Sequence, residues 1–199
     1  MPLTRPLTGP LTRPLTTRAV VRPLLLALVA GTVPLTAAAA SASTPAAPSC
    51  AIHWGSLAKT SSTMVAGPIT NVRSGRHACY DRLVIDLKGK APGYTVKYVN
   101  TFTGAASGLP IALRGGAKLS VTVNAPAYTP KGTASYTPPS RTNVVDVTGY
   151  RTFRQVRWDS SFEGYTQLGL GVRARLPFRV LTLQDATTSR LVIDVAHHW

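Results

Sequence analysis

Two short stretches of the chain show nearly the same alternation of apolar and charged positions. The first is Arg82–Leu87 (Arg-Leu-Val-Ile-Asp-Leu), and the second is Arg190–Val195 (Arg-Leu-Val-Ile-Asp-Val). Because successive side chains of a strand point to opposite faces, each stretch predicts a β-strand with one aliphatic face and one face that carries a charge at both ends. Their near identity favours a duplicated or pseudo-symmetric β-architecture.

Other apolar or alternating runs follow at short, regular intervals and are separated by turns that contain Gly or Pro. No window of a dozen residues keeps an apolar period of 3.6 residues, so the pattern predicts an all-β sandwich or barrel rather than βαβ units. Residues 125–141, rich in Pro, Thr, Ser and Tyr, predict one long loop. The predicted strands are Met64–Val72, Arg82–Leu87, Tyr94–Val99, Leu109–Leu113, Leu119–Asn124, Val144–Tyr150, Val156–Phe162, Gln167–Val172, Phe178–Leu183 and Arg190–Val195.

The start of the chain has the layout of a secretory signal peptide. A basic stretch with repeated Pro-Leu-Thr precedes the apolar run 24–30, and small residues follow with an Ala-x-Ala site at 40–42. The apolar run is much shorter than the ~20 residues that a membrane-spanning helix needs, so we expect no transmembrane segment. We therefore expect a signal peptide over 1–42, a flexible linker over 43–50 and one folded domain over 51–199.

Charge and cysteine content extend this interpretation. The signal holds four of the 22 basic residues and none of the seven acidic ones, so the remaining formal charge is 18 minus 7, or +11. A protein this basic outside the membrane should adhere to anionic polymers. Cys50 and Cys79 are the only cysteines, and in an oxidising compartment they predict a disulfide. The alternative, lipidation of Cys50, is disfavoured because Pro48 stands where a small residue is expected.

The residue patterns that catalysis needs are missing. Ser56–Lys59 matches the Ser-x-x-Lys of penicillin-recognising enzymes, but the surrounding residues do not predict the helix that this chemistry requires. The histidines lack zinc-ligand spacing, and Asp159 and Glu163 flank a predicted turn without an apolar wall that would separate their pKa values. We expect no enzymatic activity, no catalytic or metal-ligating residue and no cofactor.

Three stretches carry residues of types that bind ligands. Residues 165–172 leave two glycines on one strand face, which indicates a bulge or close approach by another backbone more than close approach by a ligand. Arginines between 151 and 179 lie near Trp158 and Phe162 in sequence, either as a solvated face or as an anion-binding patch. A basic loop precedes Cys79, which would hold it rigid. The candidate binding residues are Arg76, His77, Tyr80, Arg157, Glu163, Tyr165, Gly169, Gly171, Arg173 and Arg175.

Three motifs occur in a fixed order along the folded part: His77–Asp86 (His-Ala-Cys-Tyr-Asp-Arg-Leu-Val-Ile-Asp), Phe-Glu-Gly at 162–164, and the closing strand at 190–195. Together they resemble the AMIN-like domain of exported actinobacterial (lipo)proteins, which is related to the AMIN domain of cell-wall amidases. The resemblance runs from about Trp54 to His197. It implies a two-sheet β-sandwich of mostly antiparallel strands with pseudo-symmetric halves, used for envelope targeting or peptidoglycan binding without catalysis.

The repeated hexamer leaves two arrangements open. If the two strands are antiparallel neighbours, the register that pairs Arg82 with Asp194 also pairs Asp86 with Arg190, and opposite charges face each other at both ends. The other arrangement places the hexamers at equivalent positions of different sheets, so that their aliphatic faces meet across the core. The resemblance favours this second arrangement.

The functional expectation is a secreted binding module, extracellular or associated with the cell wall. Its partner would be peptidoglycan or another anionic envelope polymer. The alternative is a secreted protein-interaction or inhibitor module that uses a loop or an open sheet edge to bind a protein partner. Nucleic acid is not an expected partner, because no recognised nucleic-acid-binding module is present.

Overall fold

Residues 50–65 and 67–199 are described by the computed structural model. The predicted signal peptide over 1–42 and nearly all of the predicted linker over 43–50 lie outside these residues. Within them, no helix is long and apolar enough to cross a membrane. The strands are β1 (Lys59–Ser61), β2 (Ile69–Arg76), β3 (Tyr80–Lys88), β4 (Tyr94–Val99), β5 (Ala117–Val123), β6 (Phe153–Phe162), β7 (Tyr165–Val172), β8 (Phe178–Gln184) and β9 (Thr188–Ala196).

These strands form two antiparallel sheets that face each other. The five-stranded sheet has the order β1-β4-β5-β7-β6, and the four-stranded sheet has the order β2-β3-β9-β8. Buried aliphatic and aromatic side chains from both sheets form one core cluster between them. The two-sheet β-sandwich expected from the family resemblance is confirmed, and the barrel that the strand pattern alone left open is excluded.

The two hexamers lie side by side in the four-stranded sheet. β3 and β9 pair with Arg82 opposite Asp194, Val84 opposite Val192 and Asp86 opposite Arg190. The arrangement that the resemblance favoured, with the hexamers in different sheets, is therefore wrong. Each hexamer strand has a hairpin partner before it in the chain, so the order β2-β3-β9-β8 is symmetric about the central pair.

The charges of the paired hexamers form only one of the two expected ion pairs. Arg82 binds Asp194, with 2.7 Å between Nε and Oδ1. Asp86 instead binds Arg73 of β2, at 2.8 Å between Oδ2 and Nε. Arg190 binds Asp185, which lies in the turn before β9. At the other end of the hexamers, Asp86 and Arg190 are therefore each paired with a residue of their own hairpin and not with each other.

Two predicted strands are wrong, and one short strand was missed. Residues 109–113 contain only an isolated bridge between Thr103 and Pro110, and residues 144–150 form no strand. Both stretches contain apolar residues because they cover the sandwich: Leu113 and Val144 are buried. The three residues of β1, Lys-Thr-Ser, have no hydrophobic signal, and their pairing with β4 defines them as a strand.

The predicted disulfide between Cys50 and Cys79 is confirmed. Their Cα atoms are 5.4 Å apart, within the usual range for a disulfide of about 4.4–6.8 Å. The backbone N–H of His197 donates to the carbonyl of Cys79 at 3.0 Å. The bridge therefore fastens the beginning of the described chain next to the entry of β3 and the end of β9.

Candidate functional site

A groove crosses the outer face of the five-stranded sheet, the face that points away from the core. It encloses about 990 Å³. Cross-strand register explains its lining, because Thr60, Thr95, Thr122 and Gln167 lie in one row across β1, β4, β5 and β7. β4 and β5 alternate apolar side chains that face the core with mostly polar side chains that face the groove.

The chemistry of the groove is that of neutral hydrogen-bonding groups. Hydroxyls predominate, two amides come from Asn124 and Gln167, and Lys97 is the one charged side chain of the lining. No carboxylate lines it. The amide nitrogen of Gln167 donates to the carbonyl of Thr103 at 2.7 Å, which fixes the orientation of that side chain. Such a surface offers many donors and acceptors and no negative charge.

Two aromatic side chains lie at the β6–β7 end of the groove. Phe162 and Tyr165 are direct cross-strand partners, and their side chains are 69% and 47% exposed. They line a second cavity of about 320 Å³ that shares Thr122, Tyr165 and Gln167 with the first, so the two cavities adjoin each other. An exposed pair of aromatic rings beside hydroxyl and amide groups can stack on an apolar ligand face while the polar groups bind its edges.

The tight turn between Phe162 and Tyr165 determines the position of Glu163. Glu163 has φ 48° and Gly164 has φ 80°, so both central residues of this two-residue hairpin are left-handed. The N–H of Gly164 donates to the hydroxyl of Tyr128 at 3.0 Å. Glu163 is exposed at the tip and lines the second cavity. Its position is set by the turn that holds Phe162 and Tyr165 together.

The glycines of β7 lie under another segment of the same chain. A Cβ at Gly169 would meet the ring of Phe102 at 2.9 Å, and a Cβ at Gly171 would collide with the carbonyl oxygen of Arg114. The close approach by another backbone that the sequence favoured occurs at Gly171, whereas Gly169 packs against the side chains of Phe102 and Leu113. Arg157 lies opposite Gly169 in the register, and its buried Nε has no hydrogen-bond partner within the described residues.

A second cluster, of arginines and aromatic rings, lies on the outer face of the four-stranded sheet. The buried carboxylate of Asp194 accepts from Arg82 and from Arg179, whose Nε lies 2.8 Å from Oδ2. The Arg179 guanidinium stacks on Trp54 at 4.3 Å, and Tyr80 lies next to both arginines. Hydrogen bonding to Asp194 raises the pKa of Arg82 above its ordinary value.

Of the three candidate residues predicted near Cys79, two belong to this cluster and one does not. His77 stacks on Tyr80 with 4.5 Å between ring centroids, so both belong to it. Arg76 instead lies over the ring of Tyr150, at 5.9 Å. The aromatic rings and guanidinium groups of this cluster contact one another. The cluster therefore covers this face of the sheet rather than forming a binding site.

Arg173 and Arg175 lie at another edge of the molecule, after the end of β7. Arg173 donates to the carbonyl of His197, and Arg175 donates to Ser56 Oγ at 3.2 Å and stacks on Tyr98 at 5.0 Å. The structure therefore does not assemble the predicted arginines into one anion-binding patch. Ser56 lies in a bend and Lys59 is the first residue of β1, so they are not on the helix that a Ser-x-x-Lys site requires.

The buried pair of His197 and Asp81 connects several parts of the fold. His197 Nε2 lies 3.1 Å from Asp81 Oδ1, and Asp81 Oδ2 accepts from the backbone N–H groups of Thr152 and Phe153 at 2.6 and 3.0 Å. The pair thus links β3, β6 and the chain after β9. Over residues 50–65 and 67–199 no three His, Cys, Asp or Glu side chains lie close enough together to hold a metal ion.

Comparison with known families agrees with these elements. The family model of the AMIN-like domain matches residues 67–197, which include β2 to β9. The chain belongs to the AMIN-like domain family. No match was found among the curated proteins or among the solved structures. AMIN-like domains are generally non-catalytic binding modules related to cell-wall amidases.

Sequence reasoning missed most of the groove of this AMIN-like domain. Of its lining, only Tyr165 was among the candidate residues, and Glu163 joins it in the adjoining cavity. Lys97 and the outward-facing Ser and Thr residues of the groove belong to no recognisable sequence motif, because Ser and Thr alternate with apolar residues in many strands. The available signal was the run of polar outward positions in β4, β5 and β7, which becomes a groove only when the strands are placed side by side.

Proposed function

We propose that this AMIN-like domain is a secreted, non-catalytic module that binds the cell wall, with peptidoglycan or another anionic envelope polymer as its ligand. The groove on the five-stranded sheet is the binding site in this proposal. Tyr165 lines it and Glu163 lines the adjoining cavity. His77 and Tyr80 instead stack on each other in the cluster of the opposite sheet, and Arg76 lies over Tyr150.

The observation that carries the proposal is the composition of the groove. A glycan strand exposes hydroxyl and acetamido groups along its edges and C–H groups on its ring faces. Hydroxyls and amides of the groove match the edges, and Phe162 and Tyr165 match the ring faces. No carboxylate is among the residues that line the larger cavity and Lys97 supplies an attractive charge there, whereas Glu163 lies only in the adjoining cavity.

The overall charge supports the same ligand class. With a formal charge of +11 outside the predicted signal, the domain is attracted to anionic polymers at long range. This term weakens with salt, because the Debye length falls to about 8 Å at physiological ionic strength. The groove contacts are short-ranged and uncharged for the most part, so part of the binding should persist at high salt.

Sedimentation with purified sacculi tests the proposal. The full chain should be retained at low salt and partly retained at high salt. The double variant Phe162→Ala/Tyr165→Ala should lose about tenfold in affinity, equivalent to about 1.4 kcal/mol for the two rings. Leu57→Ala is the matched control, because it removes an apolar side chain that is 75% exposed and outside the groove.

Three results would count against the proposal. Absence of retention at every salt concentration would remove cell-wall binding altogether. Equal losses in the double variant and in Leu57→Ala would remove the groove as its site. A protein partner found by crosslinking in culture supernatant, without retention on sacculi, would favour the protein-interaction or inhibitor alternative.

A further inference from the structure

The four edge strands of the two sheets differ in how far they are protected from pairing with another chain. β1 is only three residues long and carries Lys59. β6 is covered by residues 141–144, since Val144 N–H donates to the Val156 carbonyl at 2.8 Å and Trp158 N–H to the Arg141 carbonyl at 2.7 Å. β2 is bonded at Ile69 to Pro126 at 2.7 Å, and its second half carries Arg73 and Arg76. Short, covered or charged edges do not pair readily.

The edge of β8 lacks these protections beyond its first residue. Phe178 N–H points away from β9 and donates to the Gly55 carbonyl at 2.9 Å. Because backbone direction alternates along a strand, Val180, Thr182 and Gln184 direct their N–H and C=O groups to the same open side. Within residues 50–65 and 67–199, no backbone hydrogen bond reaches these groups.

The residues of this edge favour pairing. From Val180 to Gln184 the sequence is Val-Leu-Thr-Leu-Gln, without charge, proline or bulge. Leu181 and Leu183 point outward from the sheet and are 36% and 43% exposed. Leu181 lies opposite Val192, which pairs with Val84 at the centre of that face, and Leu183 lies opposite Arg190. A strand paired along this edge would therefore extend the apolar row of Val84, Val192 and Leu181.

We propose that β8 pairs antiparallel with β8 of a second copy of this chain, about a two-fold axis at Thr182. In that register Thr182 lies opposite itself and Val180 opposite Gln184, and these are the residues whose backbone groups point to the open side. Each such pair exchanges two backbone hydrogen bonds. The two four-stranded sheets then join into one continuous sheet.

Side chains of the outer face select this register. Leu181 lies opposite Leu183 of the second copy, and Arg179 lies opposite Asp185. A two-fold axis at Leu181 would place Arg179 opposite Leu183, and an axis at Leu183 would place Leu181 opposite Asp185. Only the axis at Thr182 matches apolar with apolar and cation with anion. Arg179 and Asp185 are 35% and 56% exposed, so both are accessible to a second copy.

Pairing through β8 is compatible with the proposed groove and does not depend on it. The groove lies on the five-stranded sheet and β8 in the four-stranded sheet, so each copy keeps its groove open. Two linked grooves would bind a repeating polymer by avidity, which raises retention without new contacts. Dimerisation and binding of sacculi are measured separately, so the failure of one is distinguishable from the failure of the other.

Sedimentation velocity of the purified full chain over a concentration series tests the pairing. The mass should change from one chain to two as concentration rises. Leu181→Lys/Leu183→Lys places like charges opposite each other in the dimer and should raise the dissociation constant at least 100-fold. In the monomer both lysines reach solvent. Leu109→Lys, on a side chain that is 66% exposed in the segment that covers the five-stranded sheet, should dimerise as the parent does.

A single cysteine locates the axis. Thr182→Cys should form a disulfide between two copies under mild oxidation, because directly opposed Cα atoms in a hydrogen-bonded pair are about 5.5 Å apart. Leu109→Cys, on an exposed side chain of the segment that covers the five-stranded sheet, should not. A parent that stays monomeric at every concentration, or a dimer that survives the double lysine variant and leaves Thr182→Cys uncrosslinked, would overturn the proposal. Protection of residues 180–184 from hydrogen exchange in a monomer would assign the edge to another part of the same chain and would also overturn it.

Discussion

The Arg82 guanidinium and the Asp194 carboxylate face each other from the two copies of the repeated hexamer, with 2.7 Å between Nε and Oδ1 and 2.9 Å between Nη2 and Oδ2. This bidentate geometry fixes the register of β3 against β9. Asp194 is fully buried and also accepts from Arg179, whereas its counterpart in the first hexamer, Asp86, binds the half-exposed Arg73. Two aspartates at matching positions thus have different environments.

We predict that Asp194→Asn destabilises the domain by about 2–4 kcal/mol, because it leaves two arginines that face a buried amide instead of a carboxylate. Asp86→Asn should cost only about 0–1 kcal/mol, since that pair is exposed to solvent and screened. Urea unfolding of the two variants measures both values. Equal losses would show that burial of the carboxylate does not decide its contribution.

Much of the four-stranded sheet could be predicted from the sequence, because the patterns that define its two central strands are local. Alternation in Arg82–Leu87 and Arg190–Val195 defines both strands and their core faces, and charge matching defines a register. The sequence could not decide whether the strands are neighbours, because nearly identical hexamers fit equally well in one sheet or in two. It also could not rank Arg73 above Arg190 as the partner of Asp86, since that choice depends on the position of β2.

The groove was hidden for a different reason. Its lining is spread over strands that are distant in sequence, and its boundary depends on residues 102–114, which return over the outer face of the sheet. The apolar run 109–113 predicted a strand because a covering segment and a strand bury similar residues. Gly169 and Gly171 indicated where this covering segment packs on the sheet, because the absence of their side chains leaves the space that the segment occupies.

We predict that Gly171→Ala destabilises the domain by about 1–3 kcal/mol, because the new methyl group collides with the Arg114 backbone, which cannot rotate away as a side chain can. Gly75→Ala in β2 is the control, since its Cβ would meet only His77 Nε2, at 3.8 Å. That change should be neutral or slightly stabilising. Thermal unfolding of both variants makes the comparison, and a neutral Gly171→Ala would contradict the close packing of the covering segment.

Tyr98 predicts an alkaline limit to stability. Its hydroxyl donates to the Leu176 carbonyl at 2.8 Å and accepts from the Leu176 N–H at 2.9 Å, and burial raises the pKa of the phenol. The unfolded phenol therefore loses its proton at lower pH than the folded one, so stability falls as pH rises above about 10.

The variant Tyr98→Phe should remove this contribution to the pH dependence. It should also lower stability at pH 7 by about 1–3 kcal/mol, because both backbone groups of Leu176 lose their partner. Urea unfolding at pH 7 and at pH 10.5 measures both effects. An unchanged difference between the two pH values would mean that ionisation of Tyr98 does not limit the folded state.

Lys97 separates local recognition in the groove from general attraction by a basic protein. It is exposed on β4 and is the one charged side chain of the lining, whereas Lys131 is exposed in the loop after β5 and lies outside the groove. Changing either to Gln removes the same formal charge, so long-range attraction to an anionic polymer falls equally. Lys97→Gln should in addition remove a contact within the groove. We predict a three- to tenfold weaker retention on sacculi for Lys97→Gln than for Lys131→Gln, equivalent to about 0.7–1.4 kcal/mol.

Because the long-range part of the attraction is screened by salt, the ratio between the two variants should persist in high salt even as both bind more weakly. Indistinguishable retention of the two variants at every salt concentration would mean that net charge alone holds this domain on the wall and that the groove contributes nothing.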